Sequence, residues 1–365
     1  MRIPAPPFGE AERGARVLER FREMGYADAA ADEVGNVIAA LPGLPGAAPV
    51  VVAAHLDTVF AAGTDVEPRH DRGRIYAPGI TDNSRGLAGM LTVARVARAG
   101  GVRTRRPVLF VATVGEEGTG DLRGVKHLFR EGSPLRTAAA FIALDGSGMR
   151  RIVHRAIGSR RLRVTVEGPG GHSWADRGAP NPVVALASAT AEISTLALPH
   201  PERSSLTVAR IGGGTSINAI PDAAWLEIDM RSEAPRVLGE LEASVRGIVA
   251  RVVREESTGR RSGTPALRHT VTIIGDRPSG ETSARSDLVA LSSRVTAALG
   301  GKPELVSSST DANVPMALGI PSIAIGVGGD SGGIHTTDEW YANDHGALGI
   351  ERALLIVLEA AGVVG

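Results

Sequence analysis

The sequence predicts an α/β protein, a mostly parallel sheet flanked by helices, interrupted by a smaller inserted α+β unit of ferredoxin-like type. Three observations predict it. Short, almost wholly apolar runs such as APVVVAAHL (48–56), PVLFVATV (107–114) and AAAFIAL (138–144) alternate with helical patterns, as strands buried on both faces do. Beyond about residue 158 the runs alternate polar and apolar, as in RLRVTVE (161–167), the pattern of half-exposed antiparallel strands. The first pattern resumes near Ala284, so one domain (1–157 with 281–365) is predicted to enclose another (158–280).

Each element has its own signal. Helical spacing from Glu10 to Met24 ends at Gly25, a C-terminal stop. The strand at 48–56, a helix over Leu87–Ala99, the strand at 107–114, a helix over Leu122–Phe129 and the strand at 138–144 follow. The inserted domain runs strand 161–167, helix Pro182–Leu196, strands Leu206–Ile211 and Ala224–Met230, helix Pro235–Glu255 and strand His269–Ile274. This is a β-α-β-β-α-β order on one sheet. The chain closes with a helix to Leu299, a strand at Glu304–Val306, a helix after Asp311, a strand at Ser322–Val327 and a helix from Ile350.

Composition narrows the function classes. At 365 residues two domains are the default, and 43% hydrophobic with 22% charged residues describes a soluble globular chain. No apolar run approaches the ~20 residues of a membrane span. The opening MRIPAPPFGEAERG has no signal-peptide pattern, so a cytoplasmic location is expected. Zero cysteines exclude disulfides, thiolate metal sites and cysteine nucleophiles. Forty basic residues balance forty acidic ones and aromatics are only 3%. Neither nucleic acid nor a membrane surface is therefore an expected partner.

In open α/β sheets ligands bind beyond the carboxyl ends of strands, and here those ends carry chemistry. His55 and Asp57 end the first strand, Glu116 and Glu117 follow the second, Asp145 closes the third, and His335 follows the strand SIAIGV. Asp82 opens a helix. Taken singly, Asp82 could be a helix cap, Asp145 a turn residue and the glutamate pair a solvated turn. Together, so many carboxylates would repel unless cations compensate. Nitrogen and oxygen donors without sulfur suit Zn²⁺, Mn²⁺ or Co²⁺. Five ligands exceed one tetrahedral site, so two metals sharing a bridging group are expected.

HLDTV, GITDNSRGLAGML, GEEG, GPGGHS, GGTSINAIPD and the late IGVGG…IH occur in this order. They resemble the zinc-peptidase family of peptidase T, glutamate carboxypeptidase, acetylornithine deacetylase and succinyl-diaminopimelate desuccinylase. The opening IPAPPFGEAER resembles its peptidase T-like, tripeptide aminopeptidase branch. The resemblance implies two divalent metals, zinc first with manganese or cobalt as alternatives. His55 and Asp145 would hold one metal, Glu117 and His335 the other, with Asp82 bridging and the Asp82–Asn83 peptide cis. Asp57 would hydrogen-bond the free nitrogen of His55, and Glu116 would be the general base toward a metal-bridging water.

In the inserted lid or dimerisation domain, the resemblance makes His172 an oxyanion donor acting across a homodimer interface. Asn218 would bind substrate and Arg231 a substrate carboxylate. Aspartate at position 145 is the aminopeptidase-branch choice, which implies di- and tripeptide substrates. The alternatives are an N-acyl-amino-acid deacylase or a carboxypeptidase of the same family. His70, His127, His154, His200, His269 and His345 are expected to be surface or internally satisfied histidines.

GDSGG at 329–333 and AAH ending at His55 also match serine-protease strings, with Ser331 as nucleophile. That triad sits between antiparallel barrels, which alternating strands and helices do not supply. A relative that only binds its ligand is a third reading, but all five ligands and Glu116 are present.

Overall fold

The apolar runs become strands because their side chains find cores on two sides. All six residues of Val50–His55 are buried. Val50, Val52 and Ala54 join one cluster with Phe21, Met90 and Ile356, while Val51 and Ala53 join another with Leu122, Phe129 and Met316. Alternate residues point to opposite faces of a sheet, so both faces of this strand are covered. The computed structural model describes residues 2–198, 203–258 and 263–364. It divides into two compact units, Met1–Ala156 with Gly280–Gly365, and Ile157–Ser279. Each junction lies one residue ahead of the boundary expected from sequence.

Among the described residues, the first unit is built on a nine-stranded sheet. At its centre Val108–Thr113, Val50–His55, Ala140–Leu144 and Ser322–Ile325 lie side by side and parallel. Their carboxyl ends therefore open on one edge of the sheet, which positions the site. Helices Ala11–Glu23, Ser84–Ala99 and Gly346–Ala361 pack on one face. The shorter Arg123–Leu128 and Asn313–Ala317 contribute to the other. The margins are antiparallel: Val37–Leu41 runs against Val108–Thr113, and Arg151–Ala156 against Ser322–Ile325. Neither marginal strand is among those expected from sequence, although Val37–Leu41 (VIAAL) is apolar throughout. Arg151 and Arg155 are exposed and break the apolar run.

The second unit is a four-stranded antiparallel sheet in the order Ser204–Gly213, Ala223–Ser232, Gly158–Glu167, Arg268–Arg277. Helices Pro182–Ile193 and Pro235–Thr258 complete the β-α-β-β-α-β order. Leu162, Val164 and Val166 pack with Leu186, Ala189, Val245 and Val249. The intervening residues carry charge pairs, Arg161 with Asp229 and Arg163 with Glu227. This accounts for the polar–apolar alternation. Among the described residues no helix is long and apolar enough to cross a membrane.

Candidate metal centre

His55 ends its strand with Nδ1 3.0 Å from the Asp57 backbone carbonyl. A carbonyl only accepts, so Nδ1 carries a proton and Nε2 is left for a ligand. Nε2 lies 3.0 Å from Asp82 Oδ1 and 4.0 Å from Asp145 Oδ1. The Asp57 carboxylate is 3.7 Å from His55 Nδ1, beyond hydrogen-bond range. The expected side-chain bond from Asp57 to His55 is thus made by the backbone of the same residue. The fully buried Asp57 carboxylate instead accepts the N–H groups of Glu116 at 2.9 Å and Glu117 at 2.7 Å, fixing the glutamate turn. Glu116 and Glu117 are themselves buried.

Asp82 precedes the helix Ser84–Ala99, and the Asp82–Asn83 peptide is cis. The cap is Asn83, not Asp82. Asn83 Oδ1 accepts from Gly86 N at 3.0 Å and Gly146 N at 3.2 Å, and Nδ2 donates to Leu144 O at 2.9 Å. One amide thereby ties the Asp82 loop to the strand end bearing Asp145. The approach demands glycine at 86: a Cβ there would sit 2.0 Å from Asn83 Oδ1 and 2.3 Å from Leu144 O. On the other side of Asp82, Oδ2 lies 3.0 Å from His335 Nε2, which is 3.2 Å from Glu117 Oε1. His335 is half exposed and occupies the left-handed region, φ +66°.

Charge is lopsided here. Among the described residues, only His55 and His335 pair with Asp82, Glu117 and Asp145. Burial, then the negative charge of Asp82, pushes the Asp145 carboxyl up to about 7. Hydrogen bonds to Asp82 and Glu117 raise His335 to about 10. Burial opposes protonation of His55, but the carboxylates of Asp57 and Asp82 outweigh it and hold the ring well above its ordinary value. Burial would also raise Asp82, yet the two histidines keep it well below the ordinary carboxylate range. The cluster therefore has a strong demand for positive charge. With Nδ1 protonated, His55 Nε2 and the buried Asp82 Oδ1 face each other as two lone-pair donors. A proton or a metal ion must stand between them. Ligand atoms of His55, Asp82 and Glu117 lie within 4.8 Å of one another, a group able to hold a metal ion.

The other expected residues belong to the second unit or to loops. His172 is exposed, and its Nδ1 accepts from Trp174 N at 3.1 Å and Ala175 N at 3.4 Å. Its proton therefore resides on Nε2. Asn218 is exposed; its Oδ1 accepts from Ser216 Oγ at 2.6 Å and its carbonyl from Ser173 N at 3.0 Å. His172 pairs with Ala219 across a two-stranded ladder, so the two motifs are neighbours. Arg231 Nε donates to Asp229 at 2.7 Å, and Arg161 donates to the same carboxylate.

Ser331 Oγ is bonded to Ser147 Oγ at 2.7 Å, and among the described residues no histidine reaches it. The serine nucleophile thus lacks its base. Its glycines serve packing, since a Cβ on Gly329 would lie 2.3 Å from the Tyr341 ring. His127 pairs with Glu33 at 2.6 Å and His154 with the Thr282 carbonyl at 2.8 Å. His200 lies outside the described residues.

Sequence reasoning missed Glu339. It is fully buried, and its carboxylate accepts from Gly79 N, Thr81 N and Asp82 N at 2.7–3.0 Å. Its position four residues after His335, in TTDEW, is the one signal that could have drawn notice.

Comparison with known proteins bears on the fold and the family. The chain superposes on aminopeptidase PepT from Bacillus cereus with a TM-score of 0.75 and 25% identity, covering 99% of this chain and 95% of that one. A tripeptidase from Staphylococcus aureus gives a TM-score of 0.77 at 24% identity with the same coverage. The succinyl-diaminopimelate desuccinylase of Corynebacterium glutamicum is 27% identical over 247 residues, 65% of this chain. The chain spans 65% of that curated relative's length. Residues 51–359, from the first central strand into the last helix, match Peptidase family M20/M25/M40, and the chain belongs to that family.

Proposed function

We propose that this chain is a two-metal hydrolase that removes the N-terminal residue of di- and tripeptides. The observation that carries the two-metal reading is the position of Asp82. One of its oxygens faces His55 beside Asp145, the other faces His335 beside Glu117. Two donor sets thus share one carboxylate, and no lysine or arginine among the described residues neutralises them. His55 and Asp145 would hold one ion, His335 and Glu117 the other, with zinc the first candidate and manganese or cobalt next. When bound, such a pair supplies a water acidic enough to ionise near neutral pH.

The remaining work falls to protein groups. Glu116 takes the proton of the attacking water and returns it to the leaving amine. Asp57 holds the Glu116 backbone in place. His172, with its proton on Nε2, donates to the oxyanion that develops on the scissile carbonyl. Asn218 and Arg231 bind substrate, Arg231 through a carboxylate. A homodimer through the inserted unit is carried over from the family resemblance.

Aspartate at 145 and the likeness to an aminopeptidase and a tripeptidase favour the aminopeptidase reading. The desuccinylase relative favours deacylation of an N-acyl amino acid as the second reading. The test is metal-stripped protein reconstituted with Zn²⁺, Mn²⁺ or Co²⁺ and offered free-amine peptides, N-acyl amino acids and N-blocked peptides. Turnover confined to free-amine peptides is expected. Preference for the acylated compounds would replace it with the second reading. Activity indifferent to chelator would sink both. Mixing His172→Ala with Glu116→Gln protomers should restore part of the activity if His172 acts across the dimer, and no rescue would place its action within one chain.

A further inference from the structure

The loops carrying Asp82 and His335 are joined by a side chain the proposed chemistry does not use. Glu339 Oε2 accepts the Gly79 N–H at 2.8 Å, while Oε1 accepts those of Thr81 at 2.7 Å and Asp82 at 3.0 Å. Ala77 N donates to the Glu339 carbonyl at 3.0 Å, and Thr81 Oγ1 to the Trp340 carbonyl at 3.3 Å. Bonds from backbone N–H to a carboxylate are about twice as strong as neutral ones. The loop bearing Asp82 is therefore anchored to the segment that also presents His335. A different residue serves the other side: Asn83 ties Asp82 to the strand end of Asp145. The two donor sets thus have separate supports.

We propose that Glu339 is a positioning residue that acts chiefly on the metal affinity of the His335 and Glu117 side of the shared Asp82, while Asn83 supports the His55 and Asp145 side. The proposal rests on the two-metal reading. Glutamine at 339 has the same shape but turns an amide NH₂ toward at least one of the three N–H donors. The Asp82 loop then loses its tie to the segment that presents His335, while the tie through Asn83 to the strand end of Asp145 is kept.

The experiment is titration of metal-free protein with Zn²⁺ against a chromophoric chelator, for wild type, Glu339→Gln and Thr81→Ala. Outer supports of metal ligands are worth about 10–100-fold in affinity. For Glu339→Gln one equivalent should bind as in wild type and the other about 10–100-fold more weakly. The melting temperature of the metal-free protein should fall modestly, because a buried N–H loses its acceptor, and kcat should recover at high zinc with KM unaltered. Thr81→Ala, which removes only the hydroxyl bond to Trp340, should weaken the same equivalent by a smaller factor. It carries the test if the glutamine variant does not fold. Two equivalents bound with wild-type affinity, or both weakened equally, overturn the proposal. A wild-type chain that takes up a single equivalent overturns the two-metal reading and this proposal with it.

Discussion

Glu116 and Glu117 are adjacent, buried and held by the same aspartate, yet they are assigned different tasks. If Glu117 is a ligand and Glu116 the base, Glu116→Gln should keep both metal equivalents while kcat drops about 10²–10⁴-fold. Metal analysis beside steady-state rates checks this, and loss of metal would reverse the assignment. Arg231 has a structural partner in Asp229, and pH isolates that pair. Burial alone would raise the Asp229 carboxyl, but hydrogen bonds from Arg231 and Arg161 bring it below the ordinary range. A carboxyl depressed in the folded state contributes stability above its unfolded value of about 3.9 and loses it as pH falls through the folded value. Arg231→Ala should therefore be less stable to urea at pH 7, with a deficit that shrinks below about pH 4. A deficit constant with pH would show that packing, not the ion pair, is lost. The ligand candidates were legible as a set, because a parallel sheet sends its carboxyl ends to one edge and several acids and histidines gathered there repel unless cations compensate. Asp57 was legible as a support, but of His55 and not of the glutamate turn it holds, and Glu339 was not legible as a support at all. Their partners are backbone N–H groups, and for Glu339 these lie 257–260 residues away in sequence.

At the scale of elements, the buried strands announce themselves since each side chain of a doubly covered strand must be apolar. Strands that border solvent or a short hairpin do not. Arg151–Ala156 alternates exposed arginines with buried residues, and Arg74–Tyr76 or Trp340–Ala342 are only three residues long. Helix Ser84–Ala99 shows how an element places a site: its amide cap fixes Asp82 against the strand end bearing Asp145. Its first turn has no room to give. Gly86→Ala should cost about 1–3 kcal/mol through overpacking, read as a lower urea midpoint of the metal-free protein. Wild-type stability would mean that the helix and Leu144 are not held as closely as described.

At the scale of the molecule, the metal demand couples to stability. A ligand at 100 times its Kd adds about 2.7 kcal/mol, so chelation should lower the melting temperature and readdition should restore it. An unchanged melting temperature would mean that the cluster binds no ion under those conditions. The order of strands has a consequence for how the chain is made. Ser322–Ile325 lies between Ala140–Leu144 and Arg151–Ala156, so a nascent chain carries an open slot with two unpaired edges through the synthesis of the whole inserted unit. Bare edges of this kind recruit other strands. A ribosome-bound chain stalled before residue 322 should thus depend on chaperones, and release from that dependence should coincide with the arrival of the segment that also delivers His335.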